Sequence, residues 1–259
     1  VYSPLVLEDG QYQIDFERFR TDVKGCKILI LSNPHNPGGR VWTREELAEI
    51  AEICYDNQVL VISDEIHADL TLPGYTHPTF ALVSEKARRN SLVFMSPSKA
   101  FNMPGLASSY CIIEDEDIRR RFQTYMEASE FSEGHLFAYL GVAAAYSNGT
   151  EWLDQVLEYI QGNIDFTDEY LKANIPAIRM IRPQASYLIF LDCRELRLSQ
   201  KELVSFFVDD AHLALNDGAM FGKEGEGFMR LNVACPRSVL KQALDQIKQA
   251  YGKKHDTIA

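Results

Sequence analysis

The sequence lacks an apolar run long enough to cross a bilayer. Its longest uncharged apolar stretch, near residues 136–146, falls well short of the roughly 20 residues a spanning helix needs, and its small side chains suit helix packing. No membrane partner is expected. Positive charge is also scarce: 26 Lys and Arg stand against 37 Asp and Glu, a net of −11. The one basic cluster, residues 119–121, sits behind Glu114, Asp115, Glu116 and Asp117, so a nucleic-acid backbone would be repelled. Cysteines are few and unpatterned. Cys26, Cys54, Cys111, Cys193 and Cys235 are odd in number and show neither CxxC nor metal-finger spacing. They read as buried, reduced thiols of a cytoplasmic protein. Internal repeats and low-complexity segments are missing. GKEGEG at 222–227 lacks the lysine and hydroxyl that end a P-loop and is expected to be a hairpin loop. The opening VYSPLVLEDG carries no initiator methionine, is not a secretory or twin-arginine leader, and enters in mid-element, as a fragment of a longer chain would.

What is present is an alternation. With 46% hydrophobic and 24% charged residues, the 259-residue chain suits a globular protein of one or two domains. CKILILS (26–32) is a continuous apolar run, predicting a parallel strand buried on both faces. Thr43-Arg-Glu-Glu46 is a capping box, and Leu47, Ile50, Ala51 and Cys54 follow at helical spacing. VLVIS (59–63), SLVFMS (91–96) and SSYCIIE (108–114) read as further strands. Together these predict an α/β fold with a mostly parallel open sheet and flanking helices. Helical patterns follow at 116–129 and 134–147, and a long amphipathic one at 150–173 is the candidate link between domains. Beyond it, IRMI, YLIFLDC, the short LALNDG and FMRLNVA read as strands, Ser199-Gln-Lys-Glu202 caps a helix, and Leu240, Leu244, Ile247 and Tyr251 line one face of a terminal helix. The expected division is a partial large domain at 1–150 and a smaller α+β domain, linking helix included, at 151–259.

In an open α/β sheet, ligands gather outside the carboxyl ends of the strands. Three predicted strands end in polar residues there: 26–32 runs into Asn33-Pro-His-Asn36-Pro-Gly-Gly, 59–63 into Asp64-Glu65-Ile66-His67, and 91–96 into Pro97-Ser98-Lys99. An amide, a carboxylate and a lysine at one edge suit pyridoxal phosphate. The lysine bonds to the aldehyde, the carboxylate pairs with the protonated pyridine nitrogen, and the amide meets the ring oxygen. The bland readings are a solvated lysine, an Asp64 that caps a turn, and a reverse turn at Asn36. Asp64, Glu65, His67 and Asp69 also suggest a metal hydrolase, but along an extended segment they would point different ways.

NPHNPGGRVW, SDEIHADL, SPSKAFNMPGL and GEGFMRLNVACPRS, in that order, resemble the fold-type-I pyridoxal-phosphate enzymes of the class I/II aminotransferase superfamily. Within it they are most similar to the cystathionine β-lyase-like carbon–sulfur lyases of the MalY/PatB group. The resemblance covers nearly the whole chain and implies a homodimer and an N-terminal segment ahead of residue 1. It also implies that Lys99 is the lysine bonded to pyridoxal phosphate, Asp64 the partner of the pyridine nitrogen, Asn36 the amide beside the ring hydroxyl and Ser96 a phosphate ligand. Arg230 matches the arginine that grips the α-carboxylate of an amino-acid substrate. His67 stands where many aminotransferases have tyrosine and the lyase-like branch often has histidine. Ala107 stands where many aminotransferases have a phosphate-binding arginine. The implied activity is β-elimination from cystathionine or a related cysteine conjugate, releasing pyruvate, ammonia and a thiol. The alternatives are an amino-acid aminotransferase and a catalytically silent fragment without a complete cofactor cup.

Overall fold

The computed structural model describes residues 1–131 and 134–256, with side chains described through Lys253. The chain opens with a hairpin of β1 (Leu5–Glu8) and β2 (Gln11–Ile14), paired antiparallel. Its two-residue turn is Asp9-Gly10, both at positive φ (48° and 76°), the backbone a tight hairpin needs and one that Gly adopts without cost. The short helix α1 (Phe16–Asp22) starts where the Asp15 carboxylate accepts the Arg18 N–H.

Next come β3 (Ile28–Ser32), α2 (Arg44–Asp56), β4 (Leu60–Asp64), α3 (Glu85–Arg89), β5 (Ser91–Met95), the single turn α4 (Pro97–Ala100) and β6 (Tyr110–Ile112). The sheet order is β3-β4-β5-β6, with the first three strands parallel and β6 antiparallel to β5. The Thr43 capping box forms as the sequence predicts, and Leu47, Ile50 and Cys54 of α2 pack with Trp42, Val61, Phe80 and Val93 in one core. One strand departs from expectation. Ile28 and Ile30 of β3 are 53% and 75% exposed, so the run is covered on one face only. β3 is the edge strand, and Ile28 and Ile30 border an open surface pocket with Val1, Tyr2 and Ser3, while Leu29 and Leu31 pack against the core.

Helices α5 (Glu116–Ala128), α6 (Leu136–Asn148) and α7 (Thr150–Asn174) follow. Then β7 (Arg179–Ile181), β8 (Leu188–Asp192), α8 (Gln200–Ser205), β9 (Asn216–Asp217), β10 (Phe228–Asn232) and α9 (Arg237–Asp256) build a second layer. Its sheet is antiparallel in the order β7-β8-β10-β9, and α8 continues into one π turn at Phe206–Asp210. The second core joins Ile164 and Leu171 of α7, Leu191, Met229, and Leu240, Leu244 and Ile247 of α9. GKEGEG lies in the connection between the paired strands β9 and β10.

The two layers meet beside the loop after β3. Gly39 (φ 67°) lies so close to Pro183 that an added Cβ would come within 2.4 Å of it, and the Gly39 carbonyl accepts the N–H groups of Gln184 and Ala185. Tyr12 of β2 packs with Ile181, Phe190 and Phe228 of the second sheet, closing the same side.

Candidate active site

Strand register builds the site. Ser32, Asp64 and Phe94 are successive neighbours across β3, β4 and β5, so the segments that follow leave the sheet at one edge. At the end of β4 the side chains alternate: Ser63 and Glu65 are buried and bonded to each other, and Asp64 takes the opposite side. Asp64 Oδ1 accepts the Ile66 N–H at 3.3 Å, and among the described residues the carboxylate has no cationic partner. Lys99, in α4, likewise makes no hydrogen bond or ion pair among the described residues. It lies on the wall of a cavity of about 450 Å³ shared with Trp152, Tyr187, Asn232 and Cys235.

Asn36 and Arg230, 194 positions apart, are in contact: Arg230 Nη1 donates to Asn36 Oδ1 at 3.0 Å. Arg230 Nη2 donates to Asn216 Oδ1 at 2.9 Å, and the guanidinium lies 4.8 Å from the centroid of the Phe221 ring. Its Nε is buried without a partner, and burial pushes its pKa down. No carboxylate neutralises Arg230 among the described residues. A guanidinium held by two neutral amides keeps its charge for an incoming anion.

His67 is 5% exposed, with its ring edge-on to Tyr187 at 6.2 Å between centroids. Burial, then the charges of Lys99 and Arg230, lower its pKa to about 4, so the imidazole is neutral at pH 7, and Nδ1 has no partner. Ser96 is the N-cap of α4: its hydroxyl accepts the Ser98 N–H at 3.1 Å and donates to the Ser108 carbonyl at 2.6 Å. Ala107, which precedes Ser108 in the chain, is in the left-handed region (φ 47°).

The structure therefore joins Asn36 to Arg230 and brings His67 within electrostatic reach of Lys99 and Arg230. Asp64 and Lys99 share the sheet edge without touching, and Ser96 is engaged with its own turn. The four residues of the metal reading diverge. Glu65 is sequestered in the core, Asp69 accepts the Tyr146 hydroxyl at 2.8 Å, and among the described residues no three His, Cys, Asp or Glu cluster for a metal.

Residues 3–247 match the family described as Aminotransferase class I and II. The chain belongs to that family. This class I and II aminotransferase-family chain is 39% identical over 252 residues to the cystathionine β-lyase PatB of Bacillus subtilis, covering 96% of itself and 65% of the relative. It is 35% identical to Protein MalY of Escherichia coli over 220 residues, 85% of itself and 56% of MalY. Among solved structures, cystalysin from Treponema denticola, which contains pyridoxal 5′-phosphate, superposes with a TM-score of 0.95 at 32% identity, covering 98% of this chain and 65% of that one. The chain thus spans less than two thirds of the length of each of these relatives. The family is pyridoxal-phosphate-dependent, and the residues at the edge fit that group where it most needs partners. They leave an unpaired carboxylate for a cationic ring nitrogen, an unpaired amine for an aldehyde, and an open cavity beside the amine.

Several contributors were not singled out from the sequence. Tyr187, Asn216 and Phe221 complete the surroundings of His67 and Arg230, and Asn33, Ser63, His77 and Phe80 converge on Glu65. Only the inward direction of Glu65 itself had a local signal, since alternation at the end of β4 must turn Glu65 away from Asp64.

Proposed function

We propose that this chain carries the lysine-bearing site of a pyridoxal-phosphate-dependent carbon–sulfur β-lyase. The substrate is an amino acid with sulfur on its β-carbon, cystathionine or a related cysteine conjugate, and the products are pyruvate, ammonia and a thiol. The observation that carries the reading is the uncompensated set at the sheet edge: Lys99 and Asp64 without ion pairs, and Arg230 held by Asn36 and Asn216. When bound, pyridoxal phosphate supplies a ring that accepts the electron pair released at the substrate α-carbon.

The residues divide the remaining work. Lys99 Nζ holds the cofactor and, once free, takes the α-proton. The Asp64 carboxylate, which has no cationic partner among the described residues, would pair with the ring nitrogen of the bound cofactor. Asn36 presents its amide toward the ring while its Oδ1 orients Arg230. Arg230 receives the α-carboxylate with its free donors, fixing which substrate bond faces Lys99. The neutral His67 ring would face the bound cofactor and adds no charge that would compete with Lys99. Ser96 anchors the turn that delivers Lys99 and would serve as a ligand of the cofactor phosphate. The division into a large part at 1–150 and a small domain at 151–259 belongs to the same reading. So does a cytoplasmic homodimer, to which the exposed Leu136, Phe137, Tyr139 and Leu140 of α6 would offer an apolar face.

The lyase reading rests on the likeness to PatB and on His67. With cystathionine and no keto-acid acceptor, the cofactor-loaded protein is expected to release pyruvate continuously, detected by coupling to lactate dehydrogenase. Turnover that requires an added keto acid and yields no pyruvate would replace lyase by aminotransferase.

A further inference from the structure

Glu65 is a buried carboxylate to which the reaction above gives no task. It is 1% exposed and collects donors from three stretches of chain. Oε1 accepts Asn33 Nδ2 at 3.2 Å, Ser63 Oγ at 2.9 Å and the Phe80 N–H at 2.9 Å, and Oε2 lies 2.7 Å from His77 Nε2. A carboxylate is tolerated at such depth only when both oxygens are met, and here both are.

The placement of these donors matters more than their number. Asn33 is tied twice to the end of β4: its N–H donates to the Asp64 carbonyl at 2.9 Å and its side chain donates to Glu65. Three residues later the same loop presents Asn36. Glu65 also holds the backbone of its own turn, since its N–H donates to the Phe94 carbonyl at 2.8 Å and its carbonyl accepts the Ala68 N–H at 2.9 Å. Glu65 is therefore a knot beneath the turn that carries Asp64 and the loop that carries Asn36, on the core side of both. A hydrophobic side chain would fill the space but could not gather these polar segments, and their donors would be stranded.

We infer that Glu65 is a positioning residue for the cofactor site: from the core side it fixes the directions of the Asp64 carboxylate and the Asn36 amide without touching the cofactor itself. The inference rests on the reading of Asp64 and Asn36 as cofactor ligands. Glu65→Gln keeps the shape and the acceptor facing Asn33, Ser63 and Phe80 but turns an amide nitrogen toward His77. Pyridoxal-phosphate affinity, read from the visible absorption of the bound cofactor, is expected to fall about ten-fold, as when outer hydrogen-bond partners of a bound group are removed. In a background of Asp64→Asn with Asn36→Ala the same change is expected to add less than about two-fold, because the carboxylate charge and the Asn36 amide it aims are gone. The melting temperature should drop by the same amount in both backgrounds.

An equal loss of affinity in both backgrounds, or none in the wild-type background, overturns the inference. If Glu65→Gln fails to fold, Ser63→Ala removes a single donor and should show the same dependence on background with a loss of about three-fold. If Asp64→Asn and Asn36→Ala themselves leave affinity unchanged, the cofactor-site reading fails and takes the inference with it. If they weaken binding but Glu65→Gln adds its full loss on top, the site reading stands and only the positioning role is lost.

Discussion

Lys99 and Arg230 are cations left without carboxylates, one on the rim of a cavity and one stacked on Phe221. For Arg230 the consequence is specific. Arg230→Lys keeps the charge but cannot hold Asn36, Asn216 and a carboxylate at once, so it should cost on the order of 2 kcal/mol in substrate binding and raise KM about thirty-fold. The absorption of the bound cofactor should be unchanged, and steady-state kinetics beside a spectrum check both halves. His67 and His35 give a second prediction. Burial lowers both to about 4, from an ordinary value near 6.5. Between these limits the folded imidazoles are neutral while those of the unfolded chain are protonated, so the unfolded state binds more protons and stability falls as pH drops. Each contributes on the order of 3 kcal/mol that is fully present above about pH 6.5 and gone near pH 4. Urea midpoints across that window should follow this limb, and His67→Phe should remove one histidine's share of the slope; an unchanged slope would refute the assignment.

At the scale of elements, Thr43 and Ser199 each close a capping box, with Glu46 and Glu202. Thr43→Ala or Ser199→Ala should cost about 1 kcal/mol, measured by urea unfolding, without altering cofactor affinity. Both boxes were legible because their signal is local: a hydroxyl, a spacing of three and an apolar period. The same holds for the strand ends that deliver Asn36, Asp64 and Lys99. The β1–β2 hairpin carries an equally local Asp-Gly turn signal between two short alternating segments. β3 shows a different limit. Its apolar run predicts burial on both faces, but exposure of Ile28 and Ile30 depends on what lies beside an edge strand, which the run itself does not encode. The contact of Arg230 with Asn36 and Asn216, and the gathering of Asn33, His77 and Phe80 on Glu65, are set by tertiary packing between distant segments, so no window of sequence contains them.

At the scale of the molecule, the site lies where two separately cored layers meet, and the loop from Asn33 to Arg40 is the joint. Gly39 is packed tightly in it. Gly39→Ala combines a positive φ with a Cβ driven into Pro183, so it should cost on the order of 1–3 kcal/mol and lower cofactor affinity by displacing Asn36; a melting curve and a cofactor titration on one sample test both effects. The central claim is that the first layer delivers one particular amine into a cofactor cleft. Borohydride reduction of the pyridoxal-phosphate-loaded protein, followed by peptide mass spectrometry, tests it most directly. The account predicts a stable pyridoxyl adduct on Lys99, absent in Lys99→Ala; an adduct on another lysine, or none with cofactor demonstrably bound, would contradict it.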